Sequence, residues 1–438
     1  MIKTLRNIFS IQELRKRIFI TFALLIVSRI GYHIIIPGVD ASLIQKMEVE
    51  GWLEFLGMIT GGALDDCTIM GLGVMPYISA SIIFTMLVKL VPSLEQLSKE
   101  GASGYRKIQQ YERYATVGIC IIQAAFVAAW LSTFKIKGQN LIPDPGFKFR
   151  IFAVLSITTG TMFLVWLGEQ ITEFGIGNGI SLLIMNGILA RMPYRYWNFI
   201  DNIKTAIKEG RNPAAEITQL VVYILIFFAV VTFVVLITQG QRRIPVQQQK
   251  QARGRRIYGG MRYYLPLRVN QGGVMPIIFA QAILMLPTAI LASIPGLRFI
   301  RDYIHFGTFW YVFLYVILII FFEYFWTALT FNPVEMSKNL REHGNFIPGI
   351  RPGQKTAEVL EYILNRIALA GGVFVAFIAI FPEMVSTALG IEYALAAFLG
   401  GTGILIVVGV ALEFVQRVES QLLAREYEGF MKKPVRGR

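Results

Sequence analysis

The sequence predicts an all-α polytopic membrane protein, and three observations carry that prediction. Hydrophobic residues make up 55% of the chain with a mean hydropathy of +0.55, only 16% of residues are charged, and the apolar residues gather into ten runs. That is too apolar for a soluble domain of 438 residues. A helix needs about 20 mostly apolar residues to cross the hydrocarbon, so ten crossings use about 200 residues and fit the length.

The runs cover residues 18–36, 73–91, 115–134, 151–167, 180–190, 217–238, 272–294, 306–331, 357–381 and 393–414. The fifth is short and must borrow length from the Gly-rich turn before it or the Arg-containing segment after it. Ser10 and Glu13 have capping-box spacing, so a helix is expected to start there, with residues 2–9 as an amphipathic lead-in on the membrane surface. Lys3, Arg6, Arg15, Lys16 and Arg17 precede the first run, which ends without a small-residue cleavage pattern and is expected to stay in the bilayer.

Lys and Arg are enriched on cytoplasmic flanks, and they set the orientation. With both termini cytoplasmic, the inside segments collect most of them, including eight in residues 241–270 and none in the short loop 168–179. Two outside loops oppose this: one carries Lys135, Lys137, Lys148 and Arg150, the other Arg191, Arg195, Lys204, Lys208 and Arg211. The net charge of +14 also suits anionic partners such as lipid headgroups, rRNA or an acidic protein face, although positive-inside topology explains much of it.

The pattern breaks after the first run. Residues 52–63 are apolar but too short to cross, are interrupted by Gly61 and Gly62, and meet Asp65 and Asp66. Such a segment is tolerated at membrane depth only when buried in protein or lining a cavity, so it reads as a re-entrant half-helix. The alternative is an external helix lying on the surface, and depth decides between them. The helix that follows carries Tyr77, Ser79, Ser81 and Thr85, which are polar for a lipid-facing wall.

Polar residues within spans are costly and face other helices or water. Gln123, Gln281, Glu323, Glu361 and Arg366 are of this kind, and Glu361 and Arg366 are spaced for a possible but non-ideal intrahelical ion pair. They read as helix glue or as a substrate path.

Two inside loops are too elaborate for topology alone. Residues 241–270 carry Arg242, Arg243, Lys250, Arg253, Arg255, Arg256, Arg262 and Arg268 interleaved with Tyr258, Tyr263 and Tyr264, a composition that suits RNA or an acidic protein face. In residues 332–355, Pro-Gly turns flank Arg351 and should hold it out for a carboxylate or phosphate.

Cys67 and Cys120, with His33, His305 and His343, make no metal-ligand spacing, and no phosphate-binding loop or nucleophile elbow is present. Neither enzymatic activity, a metal nor a cofactor is expected, and the cysteines read as structural.

Several motifs resemble the SecY family: GVMPYISASII over 73–83, WLGEQITEFGIGNGIS over 166–181, QRRIPV over 241–246, GRRIY over 254–258, FIPGIRPG over 346–353 and the YEGF tail over 427–430. The resemblance implies ten transmembrane helices in two pseudo-symmetric five-helix halves, 1–212 and 213–438, related as an inverted repeat, plus a re-entrant plug half-helix at about 54–69 containing Gly61, Gly62, Asp65 and Asp66. It also implies a pore ring of Ile78, Ile82, Ile184, Ile188, Ile278 and Ile406, of which 78 with 82 and 184 with 188 are i, i+4 pairs sharing a helix face. A narrow apolar ring can exclude ions by dewetting. Thr85, Gln123 and Gln281 would stand for the polar cluster of a lateral gate, and Arg255, Arg256 and Arg351 for the docking surface of the SecA ATPase and the ribosome.

The function so implied is a protein-conducting channel of the bacterial inner membrane. It would pass unfolded secretory chains and release transmembrane segments sideways, with SecE, SecG, signal peptides, nascent chains and anionic lipids as further partners. Without the resemblance, two other classes stay open. A secondary transporter of a small solute would use Glu323 or Glu361 as its coupling acid. A ribosome-binding membrane anchor would explain the basic loops but not the broken helix.

Overall fold

A computed structural model of the chain describes residues 11–40, 43, 67–133, 135–136, 139–144, 146–208, 214–249, 251–253, 256–258, 260–281, 283–284, 308–389 and 401–431. It divides into two compact units, Met1–Asn202 with Val410–Arg438, and Ile203–Gly409.

In the first unit the helices are α1 (Gln12–Gly31), α2 (Met75–Leu90), α3 (Pro92–Lys99), α4 (Ala102–Thr133), α5 (Phe147–Phe174) and α6 (Gly179–Lys208), the last running on into the second unit. A small antiparallel hairpin of β1 (Lys135–Ile136) and β2 (Gln139–Asn140) separates α4 from α5. The second unit adds α7 (Ala214–Gln239), strands β3 (Gln241–Gln248), β4 (Gln251–Arg253), β5 (Arg256–Tyr258) and β6 (Arg262–Arg268), α8 (Phe309–Thr330), α9 (Pro333–Glu342), β7 (Asn345–Phe346) and α10 (Gln354–Leu389). A helix over 275–281 follows β6, and α11 (Gly401–Met431) begins in the second unit and ends in the first.

Part of each of the ten apolar runs is helical among the described residues, and the first run leaves its helix after Gly31. Among those residues five helical segments are long and apolar enough to span a membrane: Ala102–Thr133, Phe147–Phe174, Leu220–Gln239, Phe309–Glu342 and Gln354–Ala388. A sixth appears if Met75–Leu90 is joined to Pro92–Lys99, which turns away by 98°. Pro92 at the first turn of α3 causes that corner, because the residue before a proline, here extended Val91, avoids helical geometry. α6 gains its missing length by continuing through Pro193 into the Arg-containing segment. α1 begins at Gln12 with extended Ile11 before it and no side-chain cap, and Ser10 lies outside the described residues.

Two cores matter for the site. In the first unit Leu25, Met70, Val74, Leu164, Leu167, Ile171, Leu182 and Leu183 pack together. In the second, Ile244 and Leu267 of the strands pack with Ile347, Leu360, Leu364 and Ile367. Both cysteines are buried in a third, apolar cluster of the first unit, as expected of structural residues.

Candidate functional site

The corner between the fourth and fifth spans is built by backbone contact. A Cβ on Gly179 would collide with the carbonyl of Gly168, so the start of α6 lies directly against α5. The Asn178 Oδ1 accepts from the backbone N–H of Ile180 at 3.1 Å and of Ser181 at 3.3 Å, capping α6. Thr172 Oγ1 accepts from Gly179 N–H at 2.9 Å, and Thr21 Oγ1 of α1 accepts from Ile176 N–H at 3.0 Å. Gly177 sits at φ +96°, which favours glycine. The motif over 166–181 therefore encodes a tight turn that aims α6.

That helix carries Ile184 and Ile188. Ile184 packs into the same cluster as Ile78 of α2 and Ile69, while Ile82 and Ile188 are buried. Ile278 is half-buried and Ile406 buried, both in the second unit.

Residues 67–74 lead into α2 without regular structure, yet they lie inside the first unit. Cys67, Thr68 and Met70 are each 1% exposed. Ile36 N–H donates to Cys67 O and Ile69 N–H to Ile34 O, both at 2.9 Å, forming an antiparallel bridge between Ile35 and Thr68. Gly160 of α5 lies so close that a Cβ there would strike the Ile69 carbonyl, and Gly31 accommodates the Met70 side chain. Backbone that is neither helical nor exposed, with its hydrogen bonds met internally, is what a chain re-entering a membrane protein requires. Gly61, Gly62, Asp65 and Asp66 lie outside the described residues.

Thr85 donates to the Ser81 carbonyl of its own helix at 2.8 Å and is exposed. Gln123 is half-buried on α4, which packs on α2, and no hydrogen bond joins it to Thr85 among the described residues. Gln281, in the second unit, has a buried Oε1 without a partner there. Arg113 Nε donates to Glu169 Oε1 at 2.7 Å, tying α4 to α5. In α3, Lys99 Nζ donates to the exposed Glu95 carboxylate at 2.6 Å and holds its carboxyl below the usual carboxylate range. The ion pair considered for Glu361 and Arg366 does not form, because the Arg366 guanidinium lies 4.4 Å from the centre of the Tyr362 ring.

The basic loop is a β-ribbon. β3 and β6 pair antiparallel from Gln241 with Arg268 to Gln247 with Arg262, and β4 and β5 continue it with Arg253 opposite Arg256. Ile244, Val246 and Leu267 face inward while Arg242, Arg243, Arg262, Arg268, Tyr263 and Tyr264 are exposed. β7 adds a third strand through Phe346 and Asn345, so the two basic loops form one body. Arg351 is exposed at its edge. Its carbonyl accepts from Thr356 Oγ1 at 3.0 Å, the Gly353 carbonyl accepts from Ser337 Oγ at 2.6 Å, and Gly349 and Gly353 take φ of +82° and +109°. These bonds brace the loop around Arg351. Arg255 lies outside the described residues, as does the side chain of Arg256.

Asn186, Ser28 and Thr21 were not singled out by sequence reasoning. Their signal was available, since each is a polar residue inside an apolar run.

A model of the SecY family matches residues 68–415. The protein translocase subunit SecY of Escherichia coli (strain K12) is 42% identical over 430 residues, covering 96% of this chain and 94% of its own. Among solved structures, one described as the structure of a protein conducting channel aligns with a TM-score of 0.64 at 19% identity, covering 93% of this chain and 92% of that one. Sec61 in the canine ribosome-channel complex from the endoplasmic reticulum aligns with a TM-score of 0.60 at 18% identity over the same shares. With a full-length relative at that identity and a family model spanning most of its helices, the chain belongs to the SecY family.

Proposed function

We propose that the chain is the pore-forming subunit of a bacterial protein translocase, a multi-pass protein of the inner membrane with both termini cytoplasmic. An unfolded chain passes through a ring of Ile78, Ile82, Ile184, Ile188, Ile278 and Ile406, and apolar segments of about 20 residues leave sideways past Thr85, Gln123 and Gln281. Residues 54–69 form the plug that seals the ring from outside, and the two five-helix halves hinge between the fifth and sixth spans.

The observation that carries this reading is the buried non-helical stretch 67–74, which meets Ile78 and Ile184 in one apolar cluster. A plug needs such an exit: chain returning at depth beside the constriction. The transporter reading is weaker, because Glu361 is exposed and Glu323, 0% exposed, is held by a backbone N–H.

The chain needs an external source of work. SecA or the ribosome docks on the joined basic loops through Arg255, Arg256 and Arg351, while SecE and SecG complete the channel and anionic lipids meet the basic flanks. The test is reconstitution of the chain with SecE and SecG in vesicles, with SecA and ATP. A secretory precursor should become protease-protected, and protection of a small solute gradient's uptake instead would favour the transporter.

A further inference from the structure

Glu323 is the most deeply buried charged side chain among the described residues, and no cation pairs with it there. Its Oε1 accepts from Gly272 N–H at 3.3 Å, in the turn from which the seventh span starts at residue 275. The fit around it is close. A Cβ on Gly272 would come within 2.5 Å of Glu323 Oε2, and one on Gly371 of α10 would come within 2.5 Å of the Val269 carbonyl and 3.2 Å of Glu323 Oε1. Gly372 packs against the Glu323 Cβ. One carboxylate on α8 thus meets the root of the seventh span in a cradle that only glycines on two other segments permit.

A second tie lies beside the first, on the neighbouring residue of α8. Phe279 of the seventh span stacks on Phe322 with ring centres 5.2 Å apart and sits 6.2 Å from Trp326. Phe322 and Trp326 are one turn apart on α8. The seventh and eighth spans are therefore joined by a polar bond at the root and by an aromatic stack about one turn into the helix that starts at residue 275.

Glu323 Oε2, Thr327 Oγ1, Asn270 Oδ1 and Gln271 Nε2 are all buried without a partner among the described residues. Thr327 is unlike Thr85, Thr116, Thr159, Thr172, Thr232 and Thr387, which donate to the carbonyl one turn back. Unspent hydrogen-bonding groups beside the backbone N–H groups of Gly272 and Gln271, which both act on Glu323, give that tie alternatives to exchange with, which suits a tie that must reset.

We propose that Glu323 is a positioning residue that latches the root of the seventh span to the eighth and ninth, and so sets how Ile278 and Gln281 are presented. Because the turn 269–274 continues directly from β6, the latch also connects that presentation to the basic ribbon. This inference rests on the channel reading above, since it gives those two residues their purpose.

The test measures ion leak through the idle channel, reconstituted with its partner subunits in planar bilayers, for wild type, Glu323→Gln, Glu323→Leu and Phe279→Leu. Gln keeps an acceptor for Gly272 N–H and should leave leak within about twofold of wild type. Leu removes it and should raise leak about fivefold, the population shift equivalent to one net hydrogen bond. Phe279→Leu should raise it independently, which keeps the idea testable if Glu323→Leu fails to fold. Unchanged leak in both Leu variants would overturn the latch, as would equal leak in Glu323→Gln and Glu323→Leu, which would make the charge rather than the bond decisive. Loss of precursor translocation by wild type would instead overturn the channel reading.

Discussion

The Asn186 side-chain amide donates to Ser28 Oγ at 3.2 Å and to the Leu25 carbonyl at 3.3 Å, fastening α6 to α1. Ser28 in turn donates to the Leu25 carbonyl at 2.6 Å, so the three groups close a small buried network. Asn186 lies two residues from both Ile184 and Ile188, roughly 200° round the helix. Fixing the Asn186 side to α1 therefore turns the isoleucine face the other way. Asn186→Ala should lower stability in thermal unfolding by about 0.5–1.5 kcal/mol. A cycle with Ser28→Ala should give a coupling of about 0.6 kcal/mol, the usual size between membrane helices.

Glycine substitutions should sort by what a Cβ would meet. At Gly160 and Gly179 it would strike backbone carbonyls of Ile69 and Gly168, whereas at Gly118 and Gly409 nothing lies within 4 Å. Gly160→Ala and Gly179→Ala should cost about 1–3 kcal/mol from overpacking. Gly118→Ala and Gly409→Ala should be neutral or stabilising by up to about 1 kcal/mol, since alanine is the better helix former. Melting temperatures in one detergent check the opposite signs.

Arg351 should matter for docking and not for folding. It is exposed, and the bonds that hold its loop come from Ser337 and Thr356. Arg351→Ala should leave the melting temperature unchanged and weaken motor or ribosome binding about tenfold or more, a loss of a charge-assisted contact. Arg351→Lys should recover little, because lysine lacks the planar fork.

Ser337→Ala should separate positioning from contact. It removes the hydrogen bond to the Gly353 carbonyl, costing about 1 kcal/mol, and should weaken docking only a few-fold. Binding isotherms for the two variants measured together check the ranking.

The membrane helices were legible because the bilayer allows little besides helices, and five of the helical segments among the described residues are long and apolar enough to span it. The ribbon was harder. Its alternation is present in Ile244 and Val246 and in Leu265 and Leu267, but arginines crowd the outward positions, and Pro245 and Pro266 argue against strands. Both prolines lie in the ladder between β3 and β6, opposite Tyr264 and Arg243. The pairing of Phe346 with Gln247 was beyond reach, since nothing local links segments so far apart in the chain. At the site, the break in the pattern over 52–66 was legible from Gly61, Gly62, Asp65 and Asp66, whereas the proposed ring was named by motif alone. Single isoleucines in apolar helices look alike, and only position in the fold distinguishes them.

The most direct measurement is crosslinking of a stalled secretory chain to single cysteines in the reconstituted channel. Ile78→Cys and Ile184→Cys test the ring, and Phe126→Cys on α4, 74% exposed, is the lipid-facing control. Adducts are expected at 78 and 184 and none at 126. Adducts at 126 with none at 78 and 184 would contradict the proposed ring.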